Sequence, residues 1–533
     1  MFFPLHFPHR VSMDTKQGLL ATLAAFGLFA TTVSAATPPV TLEVDATDAP
    51  RCLLHAKLHI PAAPGKLTLF YPKWIPGEHS PTGPISDLTG LQFSANGQPL
   101  AWQRDADEMC TFRLDVPTNA DAVDVSLDLL LPSGGGSSTA RLLDLNWDQV
   151  LLYPQAETPL KIPFAATLKL PAGWKFGTAL PVSKVESVFT ESISFSSAPL
   201  ETLIDSPVIA GEFFRTIDLT PGEKVPHFLH LVADSDSALE IKPEDIPHFT
   251  HLVKEANALF GAHHYRDYHF LLTLSDHVAH FGLEHHESSD DRVGDNFLTD
   301  ADSRKLSAEL LPHEMVHSWN GKYRRPAGIA TPDYHQPMRD ELLWVYEGLT
   351  DYYGKVLATR SGLETNDDFQ QVLAINAAML DHRSGRQWRP LSDTTVSAQL
   401  LYGGRSEGVN RRRAVDFYPE GDLIWLEADT VIRQQTHGEK SLDDFCKKFH
   451  GGKSSSPKVV PYDFNDVVKT LNDVTPYDWK QFFSDRVYTI TPHAPLGGIE
   501  NSGWRLTYTN DVPPFLKTRE GQRKYTDMNY SLG

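Results

Sequence analysis

The hydrophobic and polar positions along this chain change period once. From about Val40 to about Ile241, apolar residues recur in short runs punctuated by Pro, Gly and Asn. Lys66–Tyr71, Phe164–Leu170 and Ser192–Phe195 read as strands of this kind. Several such strands over roughly two hundred residues predict a sandwich-like all-β domain. The Gly/Ser-rich stretch Pro132–Ser138 reads as a loop inside it, because strand-like sequence resumes afterwards. Beyond Pro243 the period lengthens. Phe249, Leu252, Val253, Ala256, Leu259 and Phe260 recur at three- and four-residue spacing and share one helix face, leaving His248, His251, Lys254 and Glu255 mostly on the other. Tyr268–Leu274 then reads as a compact buried strand, and Leu342–Tyr353 as a buried helix. The fold class expected is multidomain, with an all-β N-terminal part followed by an α+β, mainly helical part.

Length and composition narrow this picture. At about 150 residues per domain, 533 residues suggest three or so domains. A formal net charge of −20 argues against a nucleic-acid-binding surface. The three cysteines, Cys52, Cys110 and Cys446, form no C-x-x-C pair, which argues against a thiolate zinc site. The apolar run Leu19–Ala30, with Lys16 before it and Val33-Ser34-Ala35 after it, reads as a cleaved secretory signal over residues 1–35, with Met13 as an alternative start. The run is short for a membrane anchor, and no later segment is long and apolar enough to span a bilayer. The expected location is therefore periplasmic or secreted, where an oxidising milieu would permit a Cys52–Cys110 disulfide.

The chemistry centres on Leu311–Asn320, which contains His313-Glu314-Met315-Val316-His317. Two histidines four apart on a helix are separated by about 400° of rotation and about 6 Å of rise, so both imidazoles leave one face and can meet one ion. Glu314 follows the first of them and can reach a water there as general base. A hydrolytic zinc site needs a third protein ligand, and His335, Asp340, Glu341, Glu347 and Asp351 are within reach downstream. Glu347 is the lone carboxylate in the apolar first half of its helix, so a cation is its expected partner, with pairing to Arg324 as the competing reading. Asp351, one turn on, is placed to accept the outer N–H of a ligating histidine, or is a surface charge. Pro312 conflicts with a helix running through His313: either the helix starts there or it kinks.

His313–Pro326 together with Trp344–Tyr353 resembles the glycyl-aminopeptidase family of gluzincin metallopeptidases, including the 29 residues between His317 and Glu347. Pro72–Gly77 is similar to that family's β-domain signature. The resemblance implies a thermolysin-like catalytic domain over 242–490 behind a β domain over 36–241, with a tail over 491–533 where a PDZ domain is absent or cut off. It also implies two further positions. Phe281-Gly282-Leu283-Glu284-His285 looks like the family's strand that pairs with substrate backbone, with Glu284 receiving the free α-amino group and Phe281 standing where the family has Gly. Tyr418-Pro419-Glu420-Gly421 resembles the segment supplying a catalytic tyrosine, although Pro419 and Glu420 depart from the pattern.

The expected function is an exported zinc aminopeptidase with one Zn²⁺ held by His313, His317 and Glu347. Glu314 would act as general base and Tyr418 would stabilise the oxyanion, while Gly282, Leu283 and Glu284 bind a peptide whose first residue is small, such as Gly or Ala. A zinc endopeptidase with an open cleft and a non-catalytic polypeptide-binding protein are the two rival readings.

Overall fold

A computed structural model describes residues 38–132, 136–187, 190–402 and 408–523. The expected signal segment at 1–35 and the end of the expected tail lie outside these residues. The N-terminal part is built on a nine-stranded sheet that runs Val182–Ser187, Glu191–Phe195, Pro163–Leu170, Val40–Asp45, Leu53–Pro61, Ala122–Leu130, Leu88–Ala95 and Gln98–Pro99, with Ala198–Pro199 pairing off the path. Leu53–Pro61 shows why. Leu54, Ala56, Leu58 and Ile60 are buried while Lys57 and His59 are exposed, so one pleated face drives packing and the other stays wet. A four-stranded sheet containing Gly65–Phe70 and Thr111–Val116 supplies further residues to the same core, among them Leu69, Phe112 and Leu114. The three strands expected from the sequence fall within one residue of the observed ones.

A second, five-stranded sheet carries the site. Its order is Phe213–Asp218, His227–Ala233, Tyr268–Leu274, Ser288–Val293 and Phe281–Glu284. The three central strands are mutually parallel, and Phe281–Glu284 runs antiparallel at the edge. The first two strands precede residue 242, in the stretch the sequence reading assigns to the β domain, yet they hydrogen-bond to the later sheet. Strand periodicity is local and does not say which sheet a strand joins. The parallel pairing of His227–Ala233 with Tyr268–Leu274 needs a crossover, and helix Ile246–Phe260 provides it. That helix buries all six apolar residues of its predicted face.

Three helices build the wall opposite the edge strand. The histidine helix, Leu310–His317, starts two residues before Pro312, so proline sits in the first turn, where backbone N–H groups have no intrahelical partner. The bond from His313 N to Glu309 O, 2.8 Å, is intact, and the conflict at Pro312 resolves as an early start without a kink. The carboxylate helix, Leu343–Ser361, is buried nearly all round, and Gly354 lets it approach the histidine helix, where a Cβ would lie 3.1 Å from both Cα and Cβ of His313. The tyrosine helix, Pro419–Gln435, crosses it at Gly421, where a Cβ would lie 2.3 Å from Gly348 Cα. Backbone cannot yield at such a contact. Gly421→Ala should therefore force the helices apart and cost about 1–3 kcal/mol, read as a lower midpoint of thermal unfolding; an unchanged midpoint would show that the crossing is loose.

The three cysteines are free thiols in this structure, Cys110 and Cys446 being buried. Among the described residues no helix is long and apolar enough to cross a membrane.

Candidate active site

His313 Nε2 and His317 Nε2 stand 3.1 Å apart, and Glu347 Oε2 lies 3.5 Å from the first and 3.2 Å from the second. Ligands of a tetrahedral zinc at about 2.0–2.1 Å are separated by about 3.3 Å, so the three atoms already have the spacing of a zinc tripod. Glu347 Oε2 is buried with no hydrogen-bond partner among the described residues, which is the costly state a cation relieves. The donor set of two imidazoles and one carboxylate is the type found in hydrolytic zinc sites. The residues fit the ion.

His317 is held from behind: its Nδ1–H donates to Asn320 O at 2.8 Å, turning Nε2 toward His313 and Glu347. Asn320 is itself fixed by donating to Val345 O, Tyr346 O and Thr350 Oγ1 on the carboxylate helix. His313 Nδ1 lies 3.7 Å from Asp351 Oδ1, longer than a hydrogen bond. Asp351 instead pairs with the buried Lys355 at 2.8 Å, which also meets Glu309 and Asp422. The expectation that Asp351 directly orients a histidine is not what the side chains do here. The other candidates sit elsewhere: His335 stacks on Phe70, and Arg324, the competing partner for Glu347, stacks on Phe449.

The tripod opens onto a cavity of about 250 Å³ that also takes in Gly282, Glu284, Glu314, Tyr402 and Tyr418. A Cβ on Gly282 would lie 2.2 Å from Glu314 Oε1, so the bare backbone of the edge strand leaves room for that carboxylate where it now stands. Burial pushes the Glu314 carboxyl well above its ordinary range, and the neighbouring Glu284, Asp291 and Glu347 add to this. Burial acts the same way on Glu347 and Glu284, but it is outweighed. His317 and His79 hold Glu347 well below the usual carboxylate range, and His317 and Lys322 hold Glu284 below it. The Tyr346 hydroxyl donates to Glu284 Oε1.

Side chains alternate along the edge strand. Gly282 and Glu284 face the cavity, whereas the Phe281 ring packs under the Arg292 guanidinium at 4.7 Å and Leu283 is buried. Neither the Phe281 ring nor the Leu283 side chain lines the cavity, so what the strand presents at those two positions is backbone. Being an edge, it has backbone groups open to pairing.

Tyr418 caps the tyrosine helix, and its hydroxyl is 2.7 Å from that of Tyr402. Either hydroxyl can donate in that pair, and both tyrosines line the cavity. The departures at the next two positions are structural. Pro419 occupies the first helical position, where proline is tolerated, and Glu420 is buried between Arg386 and Arg413.

Sequence reasoning missed His79, Tyr346 and Tyr402. His79 lies two residues beyond the Pro72–Gly77 signature, and its Nε2 lies 2.5 Å from Glu347 Oε1. No periodicity marks it, because it sits in a loop 268 residues away in sequence from the carboxylate it meets.

The sequence profile of the M61 glycyl aminopeptidase matches residues 307–424, and that of the peptidase M61 N-terminal domain matches residues 41–212. Together they span more than half of the chain. No curated protein matches the sequence. Among solved structures, an aminopeptidase N family protein from Idiomarina loihiensis superposes with a TM-score of 0.73 at 20% identity, covering 87% of this chain and 78% of that one. The M1 zinc metallopeptidase from Deinococcus radiodurans gives 0.51 at 16% identity, covering 85% and 95%. A variant of that enzyme bound to a Tyr-Ser-Ala substrate gives 0.50 at 14%, covering 86% and 95%. At these identities the likeness concerns the fold, which is the β domain followed by a helical catalytic part. With both family profiles in their proper order, the chain belongs to the M61 glycyl aminopeptidase family and is a zinc metallopeptidase.

Proposed function

We propose that this protein is an exported aminopeptidase that removes small N-terminal residues from peptides, with one zinc ion per chain. The observation that carries the reading is the convergence on one cavity of the His313–His317–Glu347 tripod and the Glu314 and Glu284 carboxyl groups. Zinc held by the tripod would supply a Lewis acid that polarises the scissile carbonyl and acidifies water. Glu314 would accept the proton of the attacking water on a carboxylate oxygen and hand it to the departing amine. The Tyr418 hydroxyl would donate a hydrogen bond to the oxygen that gains charge in the tetrahedral stage. Glu284 would accept charge-assisted hydrogen bonds from the substrate ammonium, which fixes the chain end and makes the cleavage exopeptidic. The backbone of Phe281–Glu284 would extend the sheet onto the substrate by strand addition. Domain bounds near 36–241 and 242–490 are kept as working limits, with the strands at 213–218 and 227–233 serving the catalytic sheet.

The test is a panel of aminoacyl-peptide substrates with free and N-acetylated ends, run on protein assayed for zinc. Turnover should favour Gly or Ala at the first position and disappear on acetylation. Retained cleavage of blocked peptides would instead establish an endopeptidase, and absence of bound zinc would overturn the metal assignment.

A further inference from the structure

The Glu347 carboxylate has two oxygens, and the structure treats them differently. Oε2 faces the two imidazoles with no hydrogen-bond partner, while Oε1 meets His79 Nε2 at 2.5 Å. His79 is 0% exposed and comes from the N-terminal part of the chain. We propose that His79 is the positioning residue of the metal centre: it donates Nε2–H to Oε1 and so presents Glu347 to the ion through Oε2 alone. The proposal rests on the metal assignment above and goes beyond it by making the N-terminal part a contributor to that centre.

The physical argument has two parts. The terminal torsion of a glutamate is broad and roughly two-fold, so an unheld carboxylate can rotate or chelate with both oxygens. A buried hydrogen bond to one oxygen removes that freedom, in the way partners behind a ligand commonly orient it. The second part is the effort the chain makes to bring the ring there. His79 has φ 51, in the left-handed region uncommon for side-chain-bearing residues. Gly77 has φ +113 and passes so close to the site that a Cβ would lie 2.6 Å from Glu284 Oε2. The loop is strapped to the catalytic part at several points. Lys322 Nζ donates to Pro76 O at 3.1 Å, and the backbone N–H groups of Lys73 and Trp74 both donate to Tyr334 O at 2.9 Å. The edge of the His79 ring meets Tyr346 at 5.3 Å between centroids, and Tyr346 is the residue that donates to Glu284. One loop therefore borders both the ligand carboxylate and the carboxylate proposed for the substrate ammonium. A residue that served only to anchor the loop would not need to place its ring nitrogen on a metal-facing carboxylate.

Full-length His79→Asn and His79→Gln proteins distinguish these roles, because the Gln side-chain nitrogen reaches about as far as Nε2 and the Asn nitrogen does not. Zinc affinity is measured by competition with a graded chelator on metal-stripped protein, alongside thermal unfolding of the metal-free form. His79→Asn should weaken zinc binding about 10- to 100-fold, with His79→Gln recovering most of the loss. The visible absorption of cobalt(II)-loaded protein should shift in His79→Asn and stay near wild type in His79→Gln. Equal zinc affinity and equal cobalt spectra in all three proteins would overturn the proposal, even if both variants unfold more easily. If His79→Asn does not fold, His79→Phe, which fills the place of the ring without a donor, is scored instead: weakened zinc binding and a shifted cobalt spectrum support the donor role, and wild-type values of both overturn it. Wild-type protein that binds no zinc would refute the tripod itself, which is a separate outcome.

Discussion

Glu314→Gln protein will bind zinc as the wild type does and hydrolyse aminoacyl substrates about 10²–10⁴-fold more slowly. The substitution keeps the volume of the side chain, so the edge strand and the histidine helix should hold their separation around it. It removes the carboxylate that, in the proposed reaction, takes a proton from the attacking water. In the resting structure burial and the neighbouring Glu284, Asp291 and Glu347 push the Glu314 carboxyl up, the direction of a proton acceptor with real affinity. A divalent cation at the tripod acts the other way, since a nearby positive charge favours the ionised form. The base is thus set by opposed effects, and an amide feels neither. Metal analysis together with kcat and KM separates the outcomes. A loss confined to kcat identifies the base, whereas loss of zinc would make Glu314 a ligand instead. Turnover within about tenfold of wild type would remove it from the mechanism.

Gly282→Ala should lower kcat/KM by about 10²-fold, the scale of a misplacement of roughly 1 Å in a catalytic group. The added Cβ would fall 2.2 Å from Glu314 Oε1 and 2.8 Å from Leu310 Cδ1, on the inner face of the edge strand. Either the base or the strand must move. If the base moves, kcat falls while KM stays; if the strand moves, its backbone no longer meets the peptide and KM rises. Zinc content should be unchanged in both cases, because none of the three ligands is among the nearest atoms to the added methyl. Wild-type kinetics in this variant would show that the strand and the base have room to adjust.

The readability of this protein from sequence followed the range of the interactions involved. The buried face of helix Ile246–Phe260 and the strand Tyr268–Leu274 were legible because burial repeats at helix or strand period within one element. His313, Glu314 and His317 were legible for the same reason, since a four-residue spacing on a helix is itself a distance. Glu347 was found by an energetic argument, as a lone carboxylate in an apolar helix needs a partner. The strands Phe213–Asp218 and His227–Ala233 fall in the 36–241 stretch yet pair with the later sheet, because pairing partners are chosen by crossover and packing. Asp351 is a different case. Its nearer partner is Lys355, one turn on in its own helix at 2.8 Å, which competes with His313 at 3.7 Å and was legible from the four-residue spacing.

The sequence by itself determined the family and the candidate reacting groups, because both are carried by residue identity at short, fixed separations. Only the tertiary structure decided which faces those groups present and what holds them. It turned Phe281 away from the pocket, resolved Pro312 as a first-turn residue, and seated Pro419 and Glu420 as structural parts of the tyrosine helix. It also carried His79 from the N-terminal part of the chain onto Glu347. The physical reason is that a side chain's partner is set by the path of the backbone between the two. That path is the sum of many weak packing choices, and no local pattern encodes it.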